Sequence, residues 1–208
     1  MAFLDWLPYL DYIGVFVFAA TGALIAARGG HDIITMLFFA AITGVGGGTL
    51  RDVLIGAPVF WVSDPGYLIA CALAAVVIWF GGRWLDRPRA LIWLDALGLA
   101  AYASIGAAKA AALGVAPPVC VVMGVLTATF GGVIRDIVAG QPSILLRREI
   151  YVTAALAGSS AYVIANQANA PPALALAIGF GAGLIVRAGA ILWGWSWPGY
   201  RSGQNNGN

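Results

Sequence analysis

The stretch Thr43–Pro58, TGVGGGTLRDVLIGAP, returns 84 residues later as Thr127–Pro142, TATFGGVIRDIVAGQP, and the two align without a gap. Each copy sets glycines, an Arg-Asp pair and a closing Gly-x-Pro inside an apolar segment. A chain with this feature is two copies of one unit, and each copy has to house a charged pair in hydrophobic surroundings. The match continues on both sides, with Asp11 aligned to Asp95 and Tyr67 to Tyr151.

Those surroundings are a membrane. Over 208 residues, 61% are hydrophobic and 10% charged, and the mean hydropathy is +0.89. That leaves too little polar surface to cover a water-soluble globule. The net charge of +2 comes with no basic patch interleaved with aromatics, so nucleic acid is not an expected partner; membrane lipid is. Cys71 and Cys120 lie in separate apolar runs without metal-ligand spacing and read as small core residues. His31, the single histidine, reads as a solvated residue beside the Gly29-Gly30 turn. Without a Ser-His-Asp set, zinc signature or phosphate-binding loop, no catalytic residue, resident metal or cofactor is expected, and the protein is not expected to be an enzyme. The stretch Met1–Asp11 has two aspartates and no Lys or Arg, unlike a secretory signal.

Apolar segments long enough for a hydrocarbon core of about 30 Å run from roughly Tyr9 to Ala27, Ile33 to Ile55, Gly66 to Phe80, Trp93 to Leu113, Val119 to Ala139, Ile150 to Ala165 and Pro172 to Trp193. Gly29-Gly30, Asp64-Pro65, Gly81-Gly82, Pro117-Pro118, Gln141-Pro142 and Pro171-Pro172 punctuate them. The expected fold is an all-α integral membrane protein of seven transmembrane helices, residues 1–193 forming one domain. Repeat 1 covers about 9–82, repeat 2 about 93–166 and helix seven about 172–193, followed by a disordered tail, 194–208. A three-span unit reverses orientation when repeated, so the copies are expected to be related by a two-fold axis in the membrane plane. Arg28, Arg83, Arg87, Arg89, Arg147, Arg148 and Arg201 fall on one side, which places the N-terminus outside and the C-terminus in the cytoplasm. Arg187 is expected to snorkel, and Trp193, Trp195 and Trp197 to form an interfacial belt.

The chemistry is expected where the repeated motifs lie. Glycine costs about 1 kcal/mol against Ala in a helix interior, so Gly46, Gly47, Gly48, Gly131 and Gly132 are expected to let spans 2 and 5 unwind near the bilayer centre. Freed carbonyls near Thr43–Gly46 and Thr127–Phe130 would then replace part of a cation's hydration shell. The competing reading is close packing of backbones. Thr43, Gly47 and Arg51 recur at i, i+4, i+8, as do Thr127, Gly131 and Arg135, which turns each threonine toward the break. Arg51, Asp52, Arg135 and Asp136 are the costliest residues to bury. Neighbours on a helix point about 100° apart, so Arg51 is expected to reach Asp136 across the axis; locking two helices together and touching the permeating ion are equally open roles. Asp11 and Asp95 read as helix-start residues complementing the dipole, with a role at a pore mouth as the alternative. Lys109 lines a pore, senses voltage or snorkels, and Tyr102 and Ser104 on the same span are candidate lining groups.

Two three-helix units carrying GGGTLRD and FGGVIRD, each followed by Gly-x-Pro, plus a seventh helix, resemble the prokaryotic branch of the trimeric intracellular cation (TRIC) channel family. The resemblance covers the chain up to about Trp193 and implies a homotrimer with one pore per subunit. It implies passage of potassium and sodium, voltage influence, and pore kinks at Gly46, Gly47, Gly48, Gly131 and Gly132. Lys109 would be its gating residue. Phe130, standing where the first copy has Gly46, departs from the pattern. The same domain is associated with glycine uptake, so a secondary transporter for glycine or a similar small solute is the alternative.

Overall fold

The computed structural model describes residues 7–85, 88–142 and 150–198. Arg87, Arg147, Arg148 and Arg201, used above for orientation, and the tail beyond Pro198 lie outside the described residues, as does the side chain of Arg83.

Among the described residues there are eight helices: α1 (Leu7–Arg28), α2 (Ile33–Leu54), α3 (Phe60–Ser63), α4 (Gly66–Leu85), α5 (Pro88–Ala112), α6 (Pro117–Val138), α7 (Val152–Gln167) and α8 (Pro172–Trp193). The seven apolar segments all fall on helices. The single-turn α3 is additional and too short for a hydropathy pattern to reveal. Five helices (α1, α2, α5, α6 and α8) are long and apolar enough to cross a membrane, Gly66–Gly81 is a shorter apolar stretch, and α7 has 16 residues.

The helix ends follow from local chemistry. Asp32 caps α2 by accepting the Thr35 N–H at 2.8 Å, and that bond holds its carboxyl below the usual carboxylate range. Pro117 and Pro172 stand at the first turns of α6 and α8, where no N–H is needed. The repeated Gly-x-Pro is a helix stop. Gly56 (φ 68°) and Gly140 (φ 63°) take the left-handed conformation that follows a helix. The next N–H then bonds back, Ala57 to the Asp52 carbonyl at 2.8 Å and Gln141 to the Asp136 carbonyl at 2.9 Å.

Three sequence expectations need correcting here. Gly81-Gly82 is not a turn, because α4 runs through it to Leu85. Helix α5 begins at Pro88, so Asp95 lies two turns inside it rather than at its start. The tail does not leave the fold at 194. Trp195 folds back over Gly189, and the Trp197 indole N–H donates to Thr153 Oγ1 at 3.1 Å.

Helix α1 packs on α2 and α4, α5 packs on α6 and α7, and α8 lies across α7 and α5; the two halves meet along α2–α6 and α1–α5. The core is made largely of small residues, among them Ala19, Ala23, Ala40, Ala74, Ala103, Ala107, Ala128 and Ala155, all buried. Small side chains let helix backbones approach, which is how helices associate where lipid removes the hydrophobic drive. Large apolar residues point outward instead, including Ile34, Phe38, Leu73, Phe80, Ile164, Ile185 and Trp193. An apolar exterior around a small-residue core, with five helices of spanning length, makes this a membrane protein.

Candidate functional site at the crossing of α2 and α6

The glycine motifs do not break their helices. Both α2 and α6 are continuous α-helix through Gly46–Gly48 and Gly131–Gly132, and none of these glycines has positive φ. Their role is contact. A Cβ on Gly47 would collide with the Thr127 carbonyl, and one on Gly131 with the Thr43 carbonyl. Each threonine carbonyl thus faces the other helix's glycine, reciprocally. The close-packing reading is the one realised, since the missing Cβ lets the backbones approach, which offsets glycine's lower helix propensity.

The threonine side chains point away from this contact. A Cβ on Gly22 of α1 would stand 2.5 Å from Thr43 Oγ1, and one on Gly106 of α5 2.6 Å from Thr127 Oγ1. Gly22 and Gly106 are themselves 84 apart, so both halves repeat the same wedge. Gly46 faces Ile134, with Cδ1 3.1 Å from its Cβ position; Gly48 faces Phe60, and Gly132 faces the Tyr151 hydroxyl at 3.1 Å.

One turn beyond the crossing stand the buried ion pairs, and each arginine uses its own neighbour rather than the partner expected across the axis. Arg51 Nε donates to Asp52 Oδ1 at 2.8 Å, with Nη2 at 2.7 Å. Arg135 Nε donates to Asp136 Oδ1 at 2.9 Å, and Nη2 makes an ion-pair contact with the same oxygen at 2.9 Å. All four residues are buried. A long guanidinium can curl back onto an adjacent carboxylate, which the 100° rule for Cβ directions does not capture.

Beyond these pairs the halves diverge. Arg135 Nη1 also donates to Asp95 Oδ1 at 3.0 Å and to Thr21 Oγ1 at 2.9 Å, so one cation ties α6 to α5 and α1. In the first half Asp11, the counterpart of Asp95, is bound by the Lys109 ammonium and by the Tyr67 hydroxyl at 2.8 Å, and Arg51 Nη1 has no partner among the described residues. Where Thr21 serves Arg135, the aligned residue is Ile105, which cannot accept a bond. Asp11 and Asp95 are therefore buried counter-ions, not dipole-complementing helix starts. Arg187 does not snorkel either. It is 1% exposed, lies 5.2 Å from the Tyr151 ring centroid and donates to the Ile150 carbonyl at 3.5 Å. Asp11, Asp52, Asp95 and Asp136 thus each have a cation at contact distance, as low-dielectric surroundings require.

Among the described residues, cavities flank the core on two sides. A vestibule of about 300 Å³ lies between the α1–α2 turn and the end of α6, lined by Arg28, His31, Phe39, Arg135, Asp136 and Gln141 among others. His31 is exposed there and stacks on Phe39 at 6.3 Å. Ser104 instead lines a separate apolar groove of about 330 Å³ between α1, α5 and α8. The Tyr102 hydroxyl donates to the Asp11 carbonyl at 3.1 Å, which sets it in the α1–α5 contact. Lys109 reaches the surface only in part, its side chain 24% exposed. Sequence reasoning passed over Thr21 and Phe60, which carry no repeat signal. It saw Tyr67 and Tyr151 as aligned but not Tyr67 as a partner of Asp11.

Comparison with known proteins gives a consistent picture. The family model described as glycine transporter matches twice, at residues 8–83 and 92–167. The UPF0126 inner membrane protein YadS of Escherichia coli (strain K12) is 36% identical over 204 residues, 95% of this chain and 97% of that one. A UPF0126 membrane protein of Vibrio cholerae is 37% identical, covering 91% and 80%. Among solved structures, the TRIC trimeric intracellular cation channel orthologue from Rhodobacter sphaeroides superposes with a TM-score of 0.87 at 46% identity, covering 91% and 98%. A TRIC channel structure from Caenorhabditis elegans, 14% identical with a TM-score of 0.62, shares the fold. The chain therefore belongs to the prokaryotic TRIC channel family, whose domain model bears the description glycine transporter.

Proposed function

We propose that this protein is a potassium-permeable monovalent cation channel, a homotrimer with one pore in each subunit. The observation that carries the reading is the reciprocal meeting of the two motifs at Gly47 and Gly131, next to a vestibule that ends on the Arg135–Asp136 pair. The 46%-identical neighbour is named as a trimeric cation channel, which supports the same activity and assembly here.

In this reading seven helices span the membrane, N-terminus outside and C-terminus in the cytoplasm, with α3 as a turn on the surface. The double match of the family model and the mirrored contacts Gly22–Thr43 and Gly106–Thr127 support an inverted repeat. In this reading the passage runs beside the close α2–α6 contact, flanked by Gly46, Gly48, Gly132 and the buried charges Arg51, Asp52, Arg135 and Asp136. Lys109, held by Asp11, is the candidate for voltage influence, since moving one charge through the field is worth about 2.3 kcal/mol per 100 mV. Potassium or sodium is the permeant species rather than a cofactor, and no catalytic chemistry is assigned.

A second reading is a carrier for glycine. The family description favours it, as does a vestibule lined by charges of both signs, Arg28 and Arg135 against Asp136. Reconstituted full-length protein measured for potassium, sodium and glycine flux side by side separates the two. Unitary, voltage-dependent potassium currents support the channel. Saturable glycine uptake without them refutes it in favour of the carrier.

A further inference from the structure

Resting on the channel reading, we infer that Phe60 is the side chain that closes one end of the passage beside α2. A Cβ on Gly48 would stand 2.6 Å from Phe60 Cε1 and 3.2 Å from Cζ, so the ring edge fills the volume that any side chain at position 48 would need. Several contacts hold it there. The Phe60 N–H donates to Asp52 Oδ2 at 3.0 Å, tying the ring to the repeated motif itself. The ring meets Tyr67 edge-on at 4.7 Å, and the next residue anchors α3 through the Trp61 indole N–H on Thr49 Oγ1 at 2.9 Å.

Two cations also stand near the ring. The Lys109 ammonium, on a partly exposed side chain, is 4.9 Å from its centroid, and the buried Arg51 guanidinium carbon is 5.9 Å away. An apolar ring beside a narrow passage makes it costly to hydrate, and a dewetted constriction stops ions. The other end is built differently. There the vestibule reaches Arg135 and Asp136 directly, and Gly132 faces the Tyr151 hydroxyl and Asp95 rather than a ring edge. The asymmetry is written in the chain, because the residue 84 positions after Phe60 is Ile144, which lies outside the described residues. Among the described residues the ring stands at one mouth, and Gly132, the counterpart of Gly48, faces polar groups.

The test is potassium flux and single-channel current of the full-length protein in liposomes. Phe60→Ala removes the ring and raises flux by about 5- to 30-fold, the population shift that loss of a half-buried ring gives a two-state equilibrium. Gly48→Ala displaces the ring by steric conflict and raises flux in the same direction without touching Phe60, while Phe60→Leu keeps the closed mouth and near wild-type flux. Melting curves of each variant establish folding. If the wild type conducts and both Phe60→Ala and Gly48→Ala leave flux unchanged or lower it, the plug is overturned. If the wild type and every variant are silent to potassium, the channel reading falls and the plug with it.

Discussion

A methyl group added at Gly47 or Gly131 tests whether the repeated glycines pack helices or break them. At Gly47 it would sit 3.0 Å from the Thr127 carbonyl carbon and closer still to its oxygen; at Gly131 the Thr43 carbonyl carbon is 3.5 Å away and its oxygen again nearer. The obstacle is backbone, which cannot rotate aside, so α2 and α6 must separate by about 1 Å to restore ordinary contact distances. Overpacking of this kind costs about 2–3 kcal/mol, and alanine's better helix propensity returns about 1 kcal/mol. Gly47→Ala and Gly131→Ala are therefore each destabilising by about 1–2 kcal/mol, a fall in Tm of about 2–8 °C for a chain of this size. Gly181→Ala on α8, where nothing lies within 4 Å of the added Cβ, supplies the opposite sign, a rise of about 2–4 °C. The double variant at the crossing loses less than the sum, because one methyl has already driven the helices apart. Melting in detergent followed by tryptophan fluorescence measures all four. Gly47→Ala and Gly131→Ala proteins that melt at or above the wild type would refute the packing argument and reopen the broken helix.

Arg135→Met leaves two buried carboxylates, Asp95 and Asp136, without their shared cation and loses about 3–5 kcal/mol. Lys109→Met loses less, since its side chain is partly exposed; equal losses in Tm would contradict the ranking. Because the Asp32 carboxyl is held below its unfolded value of about 3.9, its stabilisation is present above that pH and fades as pH falls through the folded value. An Asp32→Ala protein thus melts below the wild type at neutral pH, and the gap narrows below about pH 4. Melting points across pH read this directly, and a constant gap would count against the cap.

How the halves are joined could not be read from the chain. Hydropathy located the helices, since each segment is apolar for longer than a soluble helix needs, and repetition at 84 residues located the motifs, because identical charged residues in an apolar chain stand out. The same glycines, however, suit an unwound helix and a close crossing equally well, as both exploit the missing Cβ. Choosing between them takes the position of Thr43 and Thr127 on the opposing helix, a long-range fact. Likewise the sequence offered four buried charges beside the motifs, whereas the pairing of Asp95 with Arg135 and of Asp11 with Lys109 depends on how α5 lies against α1 and α6. Local chemistry therefore determined the membrane setting, the duplicated unit and the helix stops at Gly56 and Gly140. The fold alone decided that the glycines pack against the opposing helix, that each arginine keeps its own aspartate, and that Phe60 packs on Gly48, because those outcomes are set by distances between helices that no single segment encodes.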